Sequence, residues 1–524
     1  MQPPLTTIQK EETSVGAAPS GNKKRPSSVS PLLRVVALTF RKFSSLWHLV
    51  VRKMLSKGIQ VYTYIAVPGC KVELSVPKQT VVKEELNVFA NDDLQLQLKN
   101  LPGILTTTGR FSFKVTHNGS QITEQWVDVN ALSGGVEGGT LNTIANTPSV
   151  FSGDIIVTYG FYRAGHGEEG LPDHHQCYVY VIPNYGNWMG SVAPLGSPQV
   201  EKPFASLVLP AAHDIGMNSM KTCDALLQHA GGAVVTTLLS NNTVLQKIAD
   251  KVSSAAVMSL APNIIASLAI TQKDSVDAVL QIGARYFEFR PAHLHKAVLP
   301  VSPLPDKLYF QHGAIPGMPY DEFLHDVVQF LLAHPTEIIV VQLRWDGVPA
   351  ECARPSDQEL NDYLNTALAL SKGSIEAGNL DDFLHANIAQ LRNDRKRLIM
   401  CSNVDSLSTY TDAANATLNG DSILAEYQSV LKPENEIGKP LINIQCQATA
   451  SNITGVVVYS VLSADASTSC LLSTKAICDS KTLTWIRSNA IRDGRPEKPL
   501  IVMNDFFDGA TADVSVALSR ERLQ

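Results

Sequence analysis

From residue 205 to residue 504 the chain alternates short apolar, β-branched runs with longer stretches of helical periodicity, and this alternation limits the fold more than any other feature. The runs are SLVLP, ARYFEF, LYFQ, EIIVVQLRW, RLIMC, LINIQ and LIVMN, with helical text such as YDEFLHDVVQFLLAHP and DDFLHANIAQLRN between several of them. Runs that are apolar throughout, without in-out alternation, suit parallel strands covered by helices on both faces. Their number between residues 200 and 524 predicts an α/β fold of the (β/α) TIM-barrel type, irregular in its spacing. An open doubly wound sheet fits less well because its glycine-rich nucleotide turn is missing. An eighth strand is expected in TGVVVYSVL.

Upstream the pattern changes. Residues 59–190 hold β-rich runs such as IQVYTYIAV, RFSFKVTH, SGDIIVTYGFY and QCYVYVIP, separated by Gly, Asn, Asp and Pro clusters. That spacing predicts an antiparallel, sandwich-like domain ahead of the barrel, with no residue pattern that assigns it a role.

Residues 1–58 carry ten Lys/Arg and two Glu, a balance of +8, so the total of −6 leaves −14 for residues 59–524. An acidic body lacks the concentrated positive charge of a nucleic-acid groove, and no zinc spacing or phosphate-cradling glycine loop is present. The polar opening of the chain has no hydrophobic signal-peptide core, and the compartment is left unassigned. Within residues 32–56, Val36, Phe40, Phe43, Trp47, Val50 and Met54 recur at spacings of four and three, with Arg34, Arg41 and Arg52 roughly opposite. This predicts a basic amphipathic helix lying on a membrane surface, the alternative being a helix docked on the body of the protein. The eight cysteines are scattered without a CxxC pair and read as buried thiols; only Cys470 and Cys478 are near enough in sequence for a local bridge.

In a (β/α) barrel the reacting groups sit where strands end, at the C-terminal face. Those ends carry His213 and Asp214 after SLVLP, Glu288 and Arg290 in RYFEFRP, His312 in YFQHG, Arg344 and Asp346 in QLRWDG, and Asp505 in VMNDFF. Any one of them has an ordinary structural explanation. Together they supply two imidazoles that titrate near neutral pH, one to take a proton from an attacking hydroxyl and one to protonate a leaving oxygen. Arg290 supplies a planar cation for non-bridging phosphoryl oxygens. The set suggests phosphodiester cleavage.

The segments LPAAHDIGMNS, VDAVLQIGARYFEFRP, YFQHGAIPGMPYDEFLHDVVQFLLAHPTEIIVVQLRW and IVMNDFF resemble the X-domain region of phosphatidylinositol-specific phospholipase C in its bacterial, metal-independent form. The resemblance covers residues 200–524 and leaves the β-rich region outside it. It implies that His213 is the general base with Asp505 as partner, that His312 is the general acid supported by Asp214, and that Arg290 binds phosphate, with no metal and no cofactor. It also implies a phospholipid substrate, with Arg344 and Glu288 beside the head group.

Three departures qualify it. Glu288 stands where the family has an aspartate. The family's inositol contacts fall on Asn403, Cys446 and Ala448, none of which suits that role. The connection between His213 and Arg290 is long, and its uncharged stretches within residues 225–272 predict either an apolar lid that dips into lipid or a helix pair packed on the barrel. The competing functions are a metal-dependent phosphodiesterase of the glycerophosphodiesterase or sphingomyelinase D type, and a catalytically inactive lipid-binding barrel.

Overall fold

In-out alternation along residues 59–183 pairs them as strands β1 (Ile59–Ile65), β2 (Cys70–Val76), β3 (Gln79–Lys83), β4 (Ala90–Leu94), β5 (Thr108–His117), β6 (Ser120–Asn130), β7 (Val136–Gly139), β8 (Val150–Ser152), β9 (Ile155–Tyr162) and β10 (His175–Pro183). The computed structural model describes residues 58–103, 105–141, 147–229, 243–402, 420–432, 438–446, 453–462, 469–493 and 497–524. The predicted helix at 32–56, part of the candidate lid (230–242), Asn403 and Ala448 lie outside the described residues.

Two five-stranded sheets, β4-β1-β10-β9-β8 and β3-β2-β5-β6-β7, enclose a core that includes Val61, Leu74, Phe111, Phe113, Val127, Val179 and Val181. All their pairings are antiparallel except β1 with β10. The central strands β1, β10 and β9 of the first sheet are buried on both faces. Tyr62, Tyr64, Tyr178, Tyr180 and Ile182 alternate with the sandwich core residues and join a second core that also contains Val208, Phe507 and Ala510 of the C-terminal half. The sandwich therefore packs directly on the region that carries the strand-end residues.

That region contains β11 (Val208–Ala212), β12 (Tyr286–Phe289), β13 (Pro291–Ala292), β14 (Tyr309–His312), β15 (Ile315–Pro319), β16 (Ile339–Leu343), β17 (Glu376–Gly378), β18 (Lys396–Ser402), β19 (Ile442–Gln445) and β20 (Leu500–Asn504). Seven of these make one parallel sheet, ordered β17-β18-β16-β12-β11-β20-β19. The fold is thus α/β with several sheets, parallel and antiparallel.

The structure corrects three sequence expectations. No pairing joins β17 or β18 to β19 among the described residues, so the parallel sheet stays open where a closed barrel would have its last seam. The run LYFQ belongs to β14, whose partners β13 and β15 form a separate three-stranded antiparallel sheet. TGVVVYSVL is not a strand but lies in helix Ile453–Leu462, because a run that is apolar on every side fits a buried helix as well as a buried strand. Cys470 and Cys478 are unbridged, and all eight cysteines are buried free thiols.

Helix Ser254–Ala269, in the candidate lid, buries Val257, Ala261, Ile264 and Ile265 and packs on helix Ile453–Leu462. Among the described residues this is the packed-helix alternative, and no helix is long and apolar enough to cross a membrane.

Below β12, Arg285 and Glu337 form a fully buried ion pair. Arg285 donates to Glu337 Oε2 from Nε at 2.9 Å and Nη2 at 2.7 Å, and its remaining donors reach the carbonyls of Leu280, Ala284, Tyr185 and Gly186. Glu337 also accepts from the Met189 and Gly190 amides, so the connection out of β10 is fastened beneath the parallel sheet. Glu337→Ala would leave the guanidinium buried and uncompensated. The expected loss is about 3–5 kcal/mol of stability by denaturant unfolding, and a loss below about 1 kcal/mol would contradict this account.

Candidate active site

The turn after β11 explains why two neighbours, His213 and Asp214, serve one site. Along a strand consecutive side chains point to opposite faces. Asp214 instead has φ +45° and its carbonyl accepts from Met217 N at 2.9 Å, so the chain turns back and both side chains enter the same cleft. On β12 the period-two rule operates without a turn: Glu288 and Arg290 share the cleft face while Phe287 and Phe289 fill the core. Arg344 follows β16, with its amide on Phe289 O, and reaches Glu288 across the strand pair.

Asp505 follows β20 and lies beside the end of β11, where His213 N donates to Asn504 O at 3.1 Å. His213 Nδ1 donates to Asp505 Oδ1 at 2.7 Å, which aims Nε2 into the cleft. Nε2 of His213 lies 3.7 Å from Asp214 Oδ2 and 3.7 Å from Glu288 Oε2. His312, at the end of β14, places its Nε2 3.8 Å from the same Asp214 Oδ2. Arg290 Nη2 is 3.1 Å from Asp214 Oδ1 and 3.8 Å from Asp346 Oδ2. The structure therefore brings His213, Asp214, Glu288, Arg290, His312, Arg344 and Asp505 together. Asp214 is not the partner of His312 alone, since it stands about equally far from both imidazoles and closest to Arg290.

Arg344 is held between two carboxylates. Nη1 bonds Glu288, and Nε and Nη2 bond Asp346 at 2.8 and 2.9 Å in a two-point contact. Its side chain and that of Glu288 are almost wholly enclosed. The pair acts as a wall of fixed charge behind His213 and Arg290.

The charges set the proton affinities. Burial lowers that of His213, yet Asp214, Asp505 by charge and hydrogen bond, and Glu288 together raise its pKa to about 9. Burial would raise the pKa of Asp214, but Arg290, His213, His312 and Arg344 hold it down at about 2. His312 is lowered below its usual 6.5, first by burial and then by the Arg290 and His213 charges, against the opposing pull of Asp214. Burial works against the charge on Arg290 and is outweighed by Asp214, Asp346 and Glu288, which raise its pKa. These charges thus favour a proton on His213 over one on His312.

Several buried polar atoms at this point have no hydrogen-bond partner among the described residues: both oxygens of Asp214, Oε2 of Glu288 and Nε of Arg290. Buried groups of this kind are uncommon, and here they sit among the charges of Arg290, Arg344 and the two imidazoles.

Among the described residues, His213, Asp214 and Glu288 are also placed to hold a metal ion, each offering an atom within 4.8 Å of the others. Two guanidiniums already compensate those carboxylates, Arg290 on Asp214 and Arg344 on Glu288. A divalent ion there would meet both fixed cations, so the donor set fits a metal poorly.

The strand-end residues are legible in the sequence. Gln272 and Thr271, which bond the backbone at His213, Asp214 and Asn504, are not, because a glutamine and a threonine at the end of an uncharged stretch carry no spacing signal.

No family model and no curated protein matches the chain. Among solved structures, phosphatidylinositol-specific phospholipase C from Staphylococcus aureus matches with 11% identity, 64% of this chain and 97% of that chain covered, and a TM-score of 0.36. A second structure of the same enzyme, studied for its membrane binding, gives 11%, 64%, 97% and 0.37, and a mutant of it gives 11%, 64%, 96% and 0.35. At these values the likeness leaves the functional reading to the side chains of the site.

Proposed function

We propose that the protein is a phosphoric diester hydrolase or lyase whose cation is an arginine and not a metal ion. More particularly, it is an enzyme of the phospholipase C type that releases the head group of a glycerophospholipid, built on an α/β fold with a seven-stranded parallel sheet. One observation carries this reading. The Nε2 atoms of both imidazoles and the Arg290 guanidinium converge on the Asp214 carboxylate, at 3.7, 3.8 and 3.1 Å, so that base, acid and anion clamp face one point.

In this mechanism Arg290 draws a non-bridging phosphoryl oxygen towards its guanidinium and neutralises charge that grows as the attacking oxygen adds to phosphorus. His213 accepts the proton of the attacking hydroxyl, which belongs to the head group or to water. Its Nδ1–H bond to Asp505 fixes the ring and stabilises the imidazolium. The phosphorus–oxygen bond to the glycerol side breaks, and His312 gives its proton to the departing oxygen. Asp214 faces both imidazoles and the guanidinium and holds them in register.

The test uses purified full-length protein and mixed phospholipid vesicles, read for diacylglycerol and phosphorylated head groups by mass spectrometry. Turnover is expected to survive excess EDTA and to gain nothing from added calcium or magnesium. Activity lost in chelator and restored by a divalent ion would establish the metal-dependent phosphodiesterase instead. Vesicle binding with no diester cleaved would establish the inactive lipid-binding fold.

A further inference from the structure

The segment between helix Ser254–Ala269 and helix Val276–Ile282 touches both the catalytic strand ends and the sandwich. We propose that residues 270–275 form a strap by which the β-sandwich fixes the His213–Asp505 pair, with Gln272 as the positioning residue; this rests on the functional reading above.

Gln272 is buried and uses its whole amide on backbone. Its Nε2 donates to His213 O at 2.7 Å and Asn504 O at 3.2 Å, and its Oε1 accepts from Phe507 N at 2.8 Å. Two acceptors and one donor admit one orientation of the amide. A single side chain thus ties the end of β11 to the end of β20, the two strands that deliver His213 and Asp505. Thr271 adds to the tie: its carbonyl accepts from Phe506 N at 2.6 Å and its hydroxyl donates to Asp214 O at 3.1 Å. Asp214 and Phe506 have φ values of +45° and +44°, conformations that non-glycine residues keep only where the surroundings impose them. Thr271 bonds the backbone of both.

The other end of the segment is anchored in the sandwich. Asp274 accepts from the Ser149 amide and hydroxyl, both at 2.8 Å, just ahead of β8. Lys273 donates to Thr147 O at 2.6 Å and to Asp274 at 2.9 Å, and both charged side chains are almost wholly enclosed. A buried ion pair whose carboxylate is fully bonded resists displacement, because moving either partner strands the other charge. The sandwich anchor at Asp274 lies two residues from the glutamine that holds the catalytic pair. This gives the otherwise unassigned β domain a part in catalysis without a substrate contact of its own.

The experiment compares full-length wild type with Gln272→Met, which keeps the side chain's length and removes its three hydrogen bonds, and with Ser149→Ala, which trims one bond at the anchor. Gln272→Met is expected to lower kcat about 10–100-fold with KM unchanged. It should do so equally on natural lipid and on a substrate with a good leaving group, as loss of base function requires. An activity-independent reading is the downfield proton resonance of His213 Nδ1–H bonded to Asp505, expected in wild type and displaced upfield or lost in Gln272→Met. Ser149→Ala should move the same two readings in the same direction by less, so it carries the test if Gln272→Met does not fold. An unchanged resonance and unchanged kcat in folded variants would overturn the strap. A displaced resonance in a protein that cleaves no diester would uphold the strap and refute the functional reading instead.

Discussion

Arg290→Lys should cut phosphodiester turnover by about 10²–10³-fold while the protein keeps its fold. The guanidinium is nearly buried, with one nitrogen 3.1 Å from Asp214 and another, Nε, without a hydrogen-bond partner among the described residues. A planar fork can hold a carboxylate from one nitrogen and a phosphoryl oxygen from another at once. An ammonium group is a single point of charge on a stem without a fork. If it stays on Asp214 it leaves the phosphoryl oxygen, and if it follows the phosphate it releases the carboxylate that faces both histidines. The positive charge survives the substitution, so the ion-pair network and the melting temperature should change little. The rate should change a great deal, and mainly in kcat, because the demand for the fork is greatest when charge peaks on the phosphoryl group. A drop smaller than about tenfold, with stability unchanged, would mean that Arg290 only holds Asp214 in place.

Particular residues show how far the sequence carries. His213, Arg290, His312 and Asp505 can be picked out because each closes an apolar run, and the physics that buries a strand leaves its end as the first place where a charged group can stand. Their neighbours cannot be read the same way. That Glu288 bonds Arg344 depends on β12 lying beside β16, whereas chain order puts the run YFQH between them. That run is instead lifted into the β13-β14-β15 sheet, so His312 reaches the site from outside the parallel strands. The family resemblance gives Asp214 to His312, whereas its left-handed turn sets it between both imidazoles, and such a turn leaves no mark in residue type when the residue is an aspartate. Residues 453–462 escape for a different reason: a run of valines has no period, and its length suits either element.

The division of work between the two histidines yields the other large effect. His312→Ala should lower turnover of natural phospholipid by about 10²–10⁴-fold but spare much of the activity on an aryl phosphodiester, whose leaving oxygen departs without a proton. His213→Ala should damage both substrates alike, since either needs its attacking oxygen activated. The resting electrostatics make this a real test. Against burial, Asp214, Asp505 and Glu288 raise His213 to about 9, while burial and the Arg290 and His213 charges lower His312, so the proton is favoured on the residue assigned as base. Working and resting forms differ only in where that one proton sits, and the pH profile cannot tell them apart. Both forms give a bell. Above about 9 the proton leaves, no acid remains and the rate falls; below the lowered value of His312 a second proton binds, no base remains and the rate falls again. The substrate series separates what the profile leaves joined. Were the resting protonation also the working one, with His312 the base and His213 the acid, the pattern would invert: His213→Ala would spare the aryl ester and His312→Ala would lose both. Equal loss on both substrates in both variants would mean that neither imidazole protonates the leaving oxygen.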